Sequence, residues 1–519
     1  MFHIPVLIIG GSLVGLSASL FLSWRGVPNV LVEKHPTSSP HPRAMGFTET
    51  TLEHYRRVGI ASRIPEVPVG SRLRRVVVES LVSEWKGEQD WTPGEAHDRS
   101  TGLSPCTGAA IAQDKLEPIL REAALERGSD LRSGTKLISF EQNDRSVIAR
   151  LRDLTDGREY DIAADYLIAA DGASSGIRDA LSIERVGVGH LRVLRSVLFH
   201  CPEADRYLAR GAQQFAIEQD GFRAFLTTYG DSRWVLMLDG DQERSAEELR
   251  TSIRLALGRD MAFDIITTGR WEMAGRIATA YRRGRVFLAG DSAHQLPPTR
   301  GGFGANTGID DAWNLAWKLK RVINRSSGPT LLDSYEAERR PIAWLRHQQT
   351  FSRPDYARWV DADFRPEPLF GNDAMEFGQL LRSAAAIGAG PELPAAATPG
   401  EWSGQPGTRA PHVWVEKGAE VVSTLDLLGE DFVLIAANPG WRNVAEALSL
   451  NLLGVGDDVV FPQAQSFEAT FGVSPQGAVL IRPDGIIAWR SSQFPGTGGE
   501  EALRDAFAQV AALSAEGLS

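Results

Sequence analysis

The chain has 519 residues, of which 43% are hydrophobic and 23% charged. This is the composition of a globular protein, and the length allows about two to four domains. The formal net charge of −11 at pH 7 argues against general binding to nucleic acids or anionic membranes. The only two cysteines, Cys106 and Cys201, fit neither a metal-binding spacing nor a disulfide framework. We therefore expect a reducing, cytoplasmic setting, with neither a signal peptide nor a membrane helix.

The first predicted elements form a β-α-β unit. Three apolar stretches are typical of a strand, a helix and a second strand, namely Ile4 to Ile9, Leu16 to Trp24 and Val27 to Val32. The turn GGSLVG at residues 10–15 joins the first two, and Glu33 follows the third, 18 positions after Gly15. This spacing matches the dinucleotide-binding fingerprint, in which a helix N-terminus holds the pyrophosphate and a carboxylate binds a ribose hydroxyl.

The turn departs from the pattern G-x-G-x-x-G because Ser12 occupies the place of the middle glycine. Gly10 makes the tight turn, and Gly15 lets the helix and the strand approach each other. The middle position needs a small residue, so that the backbone can approach the phosphate. We interpret Ser12 as a tolerated departure, with a hydroxyl able to donate to phosphate. Taken alone, an ordinary strand-turn-helix remains an alternative.

Two later motifs also place polar residues at strand ends. In DYLIAADGASSGIR, residues 165–178, an apolar strand ends at Asp171. In RVFLAGDSAHQLPPTRGGFGANTG, residues 285–308, a strand ends at Asp291, and glycines then lead into a helix with apolar residues at helical spacing. Asp291 and His294 have no third ligand at a suitable spacing, so we predict no metal site, and His294 is expected to be a packed or capping residue.

Together these motifs resemble the FAD-dependent aromatic hydroxylases of the para-hydroxybenzoate hydroxylase type, and among them the hydroxylases of aromatic polyketides such as aklavinone and the tetracenomycins. HPRA at 41–44, QDKLEPIL at 113–120 and WEMAGRIA at 271–278 strengthen the resemblance, which covers most of residues 1–345. It implies an α/β fold with a Rossmann-like FAD-binding domain, an inserted β-sheet substrate domain and a C-terminal thioredoxin-like domain.

The resemblance implies FAD as the cofactor and NADPH or NADH as a transient co-substrate. Asp291 would hold the ribityl chain, and backbone N–H groups near Gly304 would face the flavin. Thr50 and Arg300 depart from the family's usual pattern near the cofactor. The implied cofactor-binding residues are Gly10, Ser12, Leu13, Val14, Gly15, Glu33, Lys34, Arg43, Gln113, Asp171, Asp291, Pro298, Gly304, Ala305 and Asn306.

The chain is divided as the family implies and as the composition suggests. The FAD-binding domain is predicted from residues 1–73, 100–185 and 274–382, the substrate domain from 74–99 and 186–273, a linker rich in Ala, Gly and Pro from 383–411, and a thioredoxin-like domain without redox cysteines from 412–519.

Candidate substrate-site residues are few, and each has a structural alternative. Phe215, Phe225, Tyr229 and Trp234 are candidate pocket-wall residues, although any of them could instead belong to the core. Arg382 is the catalytic candidate, because EFGQLLRSAAA resembles a family stretch with an arginine near the pocket, although the usual tyrosine is missing. A fixed cation there would favour an ionised phenol. The alternative for Arg382 is an exposed charge on a helix.

The resemblance implies an NAD(P)H- and O2-dependent monooxygenase that hydroxylates a phenolic polycyclic aromatic, such as an antibiotic intermediate, through a C4a-hydroperoxyflavin. The alternatives are a Baeyer–Villiger-type or catabolic phenol monooxygenase on the same fold, or a flavin-containing protein that sequesters a drug. The expected partners are a small aromatic substrate, NAD(P)H and O2, without nucleic acid or membrane. The alternatives of NADH or NADPH as the reductant, and of a monomer or a homodimer, are both compatible with the sequence, as is more than one position of hydroxylation.

Overall fold

The structure is a computed structural model that describes residues 2–68, 73–89, 102–298, 303–492 and 497–513. Its strands are β1 (Phe2–Ile9), β2 (Asn29–Glu33), β3 (Gly46–Phe47), β4 (Arg75–Val78), β5 (Trp85–Gln89), β6 (Ala109–Ala110), β7 (Asp130–Ser133), β8 (Thr135–Gln142), β9 (Val147–Asp153), β10 (Glu159–Ala169), β11 (Arg185–His200), β12 (Gln214–Gln219), β13 (Phe222–Gly230), β14 (Arg233–Asp239), β15 (Asp264–Ala278), β16 (Arg282–Arg283), β17 (Val286–Leu288), β18 (His294–Gln295), β19 (Trp414–Lys417), β20 (Glu420–Ser423), β21 (Val433–Ala436), β22 (Asn451–Gly454), β23 (Ala478–Ile481) and β24 (Ile487–Ser491).

The helices are α1 (Leu13–Trp24), α2 (Glu49–Arg57), α3 (Gln113–Glu126), α4 (Gly176–Ala180), α5 (Ala246–Leu257), α6 (Phe303–Ile323), α7 (Asp333–Phe351), α8 (Asn372–Phe377), α9 (Pro399–Trp402), α10 (Trp441–Ala447), α11 (Phe467–Phe471) and α12 (Thr497–Val510). Within the described ranges, no helix combines the length and apolar character needed to cross a bilayer.

The first sheet is built around parallel strands. Its order is β16-β17-β10-β1-β2-β7, with β9 antiparallel to β10 and β8 antiparallel to β9. Strand β1 pairs in parallel with both β10 and β2 and is almost continuously apolar, which is typical of a strand buried on both faces. The carboxyl ends of β1, β10 and β17 therefore meet at one edge of the sheet.

The second sheet has the order β18-β15-β11-β14-β13-β12-β4-β5 and is antiparallel except where β4 pairs with β12. One face packs under α5 in a closed apolar core. The other face lines the large cavity described below. The predicted domain boundary at residues 273 and 274 falls inside β15, which continues to Ala278.

The C-terminal part has the mixed four-stranded sheet β22-β21-β23-β24 of a thioredoxin-like domain, with apolar clusters on both faces. One cluster includes Trp317 of α6 together with Phe432 and Trp441. The two parts of the chain therefore share one apolar core. The segment 383–411, predicted to be a linker, packs tightly between them, since Ala385, Ala396 and Trp402 are buried in it.

A buried charge cluster fixes the same interface. Arg482, which precedes the turn between β23 and β24, donates to Glu338 of α7 at 2.6 Å and to Asp484 at 2.5 Å. Lys318 of α6 donates to Glu338 at 2.8 Å, and the Lys318, Glu338 and Arg482 side chains have no exposed area. Burial lowers the pKa of Lys318 to about 8. Burial opposes ionisation of Glu338, but the charges of Arg482 and Lys318 outweigh it and lower the pKa of that carboxyl.

We expect Arg482→Met to destabilise the protein by about 3–5 kcal/mol, because it leaves buried carboxylates without their main counter-charge. The midpoint of urea or thermal unfolding measures the loss. The matched control is Arg504→Met, which removes an arginine whose side chain is 46% exposed and pairs with Glu500 on α12. That change should cost no more than about 1 kcal/mol. Equal effects of the two substitutions would contradict the role given to Arg482.

Candidate functional site

A cavity of about 2470 Å³ lies between the two large sheets. One end is lined by residues that follow the carboxyl ends of β1, β10 and β17, including Gly10, Asp171 and Asp291. The other end is lined by the open face of the second sheet. Its volume is well above the roughly 300–1,000 Å³ of a typical ligand pocket, so it has room for a dinucleotide and a second ligand.

The turn between β1 and α1 is set by backbone contacts that exclude a Cβ atom. Gly10 has φ +108°, and a Cβ there would overlap the carbonyl group of Ala170, which follows β10. A Cβ on Gly15 would overlap the carbonyl oxygen of Gly10. The N-terminus of α1 thus points at the sheet edge with its first N–H groups facing the cavity, as phosphate binding requires.

Ser12 is held by a hydrogen-bond network that the sequence did not predict. Its hydroxyl donates to Glu117 Oε1 at 2.7 Å and accepts from Gln113 Nε2 at 2.9 Å. The Ser12 proton is therefore directed at a buried carboxylate and is not available to a phosphate, which corrects the prediction made from the sequence. Gln113 Oε1 accepts from the backbone N–H groups of Arg43 at 3.2 Å and Ala44 at 3.3 Å, so the network reaches the HPRA loop.

Glu33 lies beside this turn, at the end of β2. Its Oε2 accepts from the Gly11 N–H at 2.7 Å and its Oε1 from the His35 N–H at 2.8 Å. Its neighbours in the cavity wall include Leu13, Val14 and Lys34. Two backbone N–H groups thus hold the carboxylate at the cavity wall.

Asp171 follows the carboxyl end of β10 and has one carboxylate oxygen that is unpaired within the described residues. Its Oδ2 accepts from the Ile177 N–H at 3.3 Å, while Oδ1 is buried without a hydrogen-bond partner in the part of the chain that is described. Burial raises the pKa of this carboxyl. Asp171 itself is one of the residues that line the cavity, at the point where β10 ends.

The third strand end places Asp291 and the start of α6 against the cavity. Asp291 lies in the short 3-10 turn Gly290–Ser292, and Pro298, Gly304 and Ala305 also line the wall. The first turn of α6 presents N–H groups without intrahelical partners at the positive end of the helix dipole. Arg300 lies outside the described residues.

Asn306 points away from this wall. Its Oδ1 accepts from Thr51 Oγ1 at 2.7 Å and from the Thr48 N–H at 3.2 Å, so its side chain joins α6 to the start of α2. The His294 side chain is buried behind the wall, where its Nε2 lies 2.8 Å from Asp311 Oδ2. Among the described residues, no group of three His, Cys, Asp or Glu side chains could hold a metal ion.

The prediction was wrong for two of the four aromatic residues proposed to line the pocket. Phe225 and Tyr229 line the cavity, whereas Phe215 and Trp234 are fully buried in the core on the opposite face of the sheet. Phe215 pairs across the sheet with Leu226, the neighbour of Phe225, so strand alternation points its side chain away. Trp234 instead donates from Nε1 to Asp205 at 2.9 Å.

Arg382, the predicted catalytic residue, is not among the residues that line the cavity. Its guanidinium group donates to three backbone carbonyl oxygens, those of Gly390 at 3.2 Å, Leu393 at 2.5 Å and Pro394 at 3.0 Å. It closes a loop of the segment between α8 and α9. The prediction was wrong because local sequence could not show which way this segment turns.

The sequence missed several polar groups at the substrate end. Arg75 donates from Nε to Gln214 Oε1 at 3.2 Å, with its guanidinium carbon 5.2 Å from the centre of the Phe225 ring. His41 Nε2 lies 2.9 Å from Ser196 Oγ. Strand alternation could have identified Arg75 and Gln214. Gln214 lies two positions from Ala216 on the same strand and therefore points to the same face, and Arg75 is its neighbour across the sheet.

Comparisons with known proteins agree with this arrangement. A family model described as FAD binding domain matches residues 3–350, and one described as aromatic-ring hydroxylase, C-terminal, matches residues 403–512. A tetracenomycin A2 monooxygenase-dioxygenase of Streptomyces glaucescens is 36% identical, covering 98% of this chain and 97% of the relative. A 4-methyl-5-nitrocatechol 5-monooxygenase of a Burkholderia species is 37% identical, with the same two coverages. The crystal structure of aklavinone-11 hydroxylase with FAD and aklavinone superposes with a TM-score of 0.86 at 31% identity, covering 98% of this chain and 99% of that one.

The cavity fits FAD on features of its own. The glycine contacts leave the start of α1 open to a pyrophosphate, and the Asp171 carboxylate lies in the same wall. Asp291 and the first turn of α6 lie at the far side of the same wall, where a flavin joined to that pyrophosphate would reach. The donors and acceptors are thus of the kinds that phosphate, ribose hydroxyls and an electron-rich ring edge require.

We expect Gly15→Ala to abolish retention of FAD, because the added Cβ would overlap the Gly10 carbonyl oxygen and displace the turn. The ratio of flavin to protein absorbance after gel filtration measures this. Gly400→Ala is the control, since a Cβ there meets nothing within 4 Å and the residue lies in α9, outside the cavity wall. Equal flavin content in the two variants would refute this account of the turn.

Asp291→Ala should weaken FAD binding by about tenfold or more, because a charge-assisted hydrogen bond contributes roughly 1.5–3 kcal/mol. Quenching of flavin fluorescence during titration of the apoprotein gives the dissociation constant. Asp457→Ala, on an exposed loop of the C-terminal domain, serves as the control. An unchanged dissociation constant for Asp291→Ala would mean that this carboxylate does not contact the cofactor.

Proposed function

The chain belongs to the family of FAD-dependent aromatic-ring hydroxylases, and from this premise we propose that it hydroxylates a planar, phenolic polycycle with NADPH or NADH and O2. The solved relative cited above was crystallised with FAD and aklavinone, and another relative is named for tetracenomycin A2. What supports the same substrate class for this chain is the shape of its substrate end.

The observation that carries the proposal is a row of five residues that runs across the second sheet. Each lies opposite the next in the strand register, and all line the cavity; in order they are Gly269, Ser196, Met237, Phe225 and Ala216. Five strands about 4.8 Å apart make this row roughly 19 Å long. Such a floor is apolar except for Ser196 and is long enough for several fused rings, whereas a monocyclic phenol would cover only part of it.

We assign the cofactor to the strand-end part of the cavity. Gly10, Leu13, Val14 and Gly15 would admit the pyrophosphate, and Ser12 would hold the turn through Gln113. Glu33 and Lys34 would lie by the adenosine, and Arg43, Asp171, Asp291 and Pro298 by the remainder. The backbone of Gly304, Ala305 and Asn306 would face the flavin.

When bound, FAD supplies the electron storage and the oxygen activation that side chains cannot. The chain itself binds and orients the aromatic ring on the sheet floor and excludes water with the two domains around it. The sequence contains one dinucleotide turn, so NAD(P)H would visit the site transiently. We also propose the domain division given above, and a monomer or homodimer in the cytoplasm, where the buried free thiols Cys106 and Cys201 would stay reduced.

A catabolic phenol monooxygenase is the second candidate, because the nitrocatechol relative is as similar to this chain as the tetracenomycin relative is. The length of the apolar row favours the polycycle. Baeyer–Villiger oxidation and drug sequestration would use the same cavity and are separated by the experiment below.

We expect a tetracyclic polyketide phenol to stimulate NADPH or NADH oxidation by the FAD-loaded protein more than a monocyclic phenol does. Its methyl ether should stimulate less, since electrophilic oxygen transfer needs the electron-rich phenolate. Absorbance at the nicotinamide band and the product mass are the measurements. Preference for the monocycle would favour the catabolic function, ring expansion by one oxygen would indicate Baeyer–Villiger chemistry, and binding without oxidation would indicate sequestration.

A further inference from the structure

The turn that carries Asp291 is packed between two helices. A Cβ on Gly308 of α6 would lie 2.5 Å from Val14 Cγ2 and 2.8 Å from Gly290 Cα. Gly290 has φ +63°, and a Cβ there would lie 2.8 Å from Val14 Cγ2. The absence of side chains at these two glycines therefore lets the turn Gly290–Ser292 approach both α1 and α6 closely.

The Asp291 carboxylate lines the cavity without a hydrogen bond to any group in the described part of the chain. On the far side of its turn, Ser292 Oγ donates to the Ala169 carbonyl oxygen at 2.7 Å, at the end of β10. The Ser292 carbonyl oxygen accepts from Arg178 Nη1 at 3.2 Å. With the far side fixed in this way, the direction of the Asp291 side chain depends on how the near side, at Gly290, is held.

Asp311 of α6 holds that near side. Its Oδ2 accepts from the Gly290 N–H at 3.1 Å and lies 2.8 Å from His294 Nε2, while its Oδ1 accepts from Arg339 Nε at 2.8 Å. The Asp311 and His294 side chains have no exposed area. Burial opposes the ionisation of Asp311, but the contacts with His294 and Arg339 outweigh burial and lower the pKa of this carboxyl. Because an ionised carboxylate only accepts, three donors converge on it.

Arg339 anchors this carboxylate from α7. Its Nη2 donates to the Thr307 carbonyl oxygen at 3.2 Å and lies 3.7 Å from Asp310 Oδ2, and its side chain is buried. Arg339 thus fixes Asp311 from the neighbouring helix, and Asp311 in turn fixes the backbone of Gly290. Asp311 and Arg339 themselves lie outside the cavity wall, so this line of contacts reaches the cavity only at Asp291.

We propose that Asp311 is a positioning residue for the cofactor, which acts through Gly290 to direct the Asp291 carboxylate toward the ribityl chain of FAD. The inference rests on the cofactor assignment in the proposed function. Since Asp311 lies outside the cavity wall, its effect on FAD has to pass through the turn. Loss of the Gly290 contact would let the turn shift and would misdirect the hydrogen bonds that Asp291 offers.

The test is a double-mutant cycle with Asp311→Asn and Asp291→Ala. Asparagine keeps the shape of aspartate but has one acceptor oxygen where three donors converge, so its amide group opposes a donor and the turn shifts. We expect Asp311→Asn alone to raise the Kd for FAD about tenfold. In the Asp291→Ala background it should change the Kd less than about twofold, because the carboxylate that it directs is already gone. Quenching of flavin fluorescence during titration of the full-length apoprotein gives each Kd.

Glu53→Gln is the matched control. Glu53 of α2 is another buried carboxylate that accepts from an arginine, Arg409 Nε at 2.8 Å, and it lies outside the cavity wall. Its substitution should lower the thermal midpoint of unfolding, because it disturbs a buried ion pair, but should change the Kd for FAD less than about twofold. Equal weakening of FAD binding by Glu53→Gln and Asp311→Asn would overturn the proposal, since loss of any buried ion pair would then be enough.

A second variant keeps the test decisive if Asp311→Asn does not fold. His294→Leu removes one of the donors to Asp311 Oδ2 with a side chain of similar size. We expect it to raise the Kd for FAD about threefold, and to do so only while Asp291 is present. An unchanged Kd in both Asp311→Asn and His294→Leu would refute the positioning role.

The remaining outcomes separate this inference from the cofactor assignment. If Asp291→Ala weakens FAD binding and the effect of Asp311→Asn multiplies with it, Asp311 does not act through Asp291, and only the positioning role is overturned. If Asp291→Ala itself leaves the Kd unchanged, the assignment of Asp291 to the cofactor fails and the positioning role fails with it.

Discussion

The contact between two backbones at the end of β1 determines where everything else in the site can lie. Gly10 approaches Ala170 and Gly15 approaches Gly10 so closely that neither glycine can carry a side chain. This contact presses the start of α1 against the gap between β1 and β10. Since β17 continues the same parallel set, Asp171 and Asp291 come to the same edge. A ligand with a phosphate at one end is thereby offered a line of contacts along the strand ends.

The cofactor end and the substrate end are joined through one short loop. On one side, Ser12 and Gln113 fix the backbone of Arg43 and Ala44. On the other side, Tyr229 donates to the neighbouring Pro42 carbonyl oxygen. Because these bonds hold three consecutive residues of the loop, 42 to 44, displacement of the dinucleotide turn would also disturb the edge of the substrate floor. The serine at the place of the middle glycine is thus a link between the two ends as well as a tolerated departure.

The features predicted correctly from sequence are those set by local backbone geometry. The β-α-β unit, the glycine turn and the strand ends at Asp171 and Asp291 all follow from short-range periodicity and from glycine's freedom. The errors concern orientation. Residue type does not distinguish Phe215 and Trp234 from Phe225, since all three are aromatic. Which face of the sheet each side chain takes is set by the cross-strand register, and that register places Phe215 and Trp234 in the core and Phe225 in the cavity. The partners of Arg382 depend on how residues 383–411 fold back, which composition does not reveal.

Long-range charge pairing lies further beyond the reach of sequence reasoning. Arg482 and Glu338 are 144 positions apart, yet they form the centre of the buried cluster between the domains. The same C-terminal turn also accepts hydrogen bonds through its backbone, since Trp313 Nε1 donates to the Asp484 carbonyl oxygen at 3.0 Å and Arg57 donates to that of Pro483 at 3.0 Å. Trp313 lies on α6, the helix whose first turn faces the proposed flavin position. A domain without cysteines can therefore support the cofactor site structurally, because it holds the middle of the helix whose first turn lines that site.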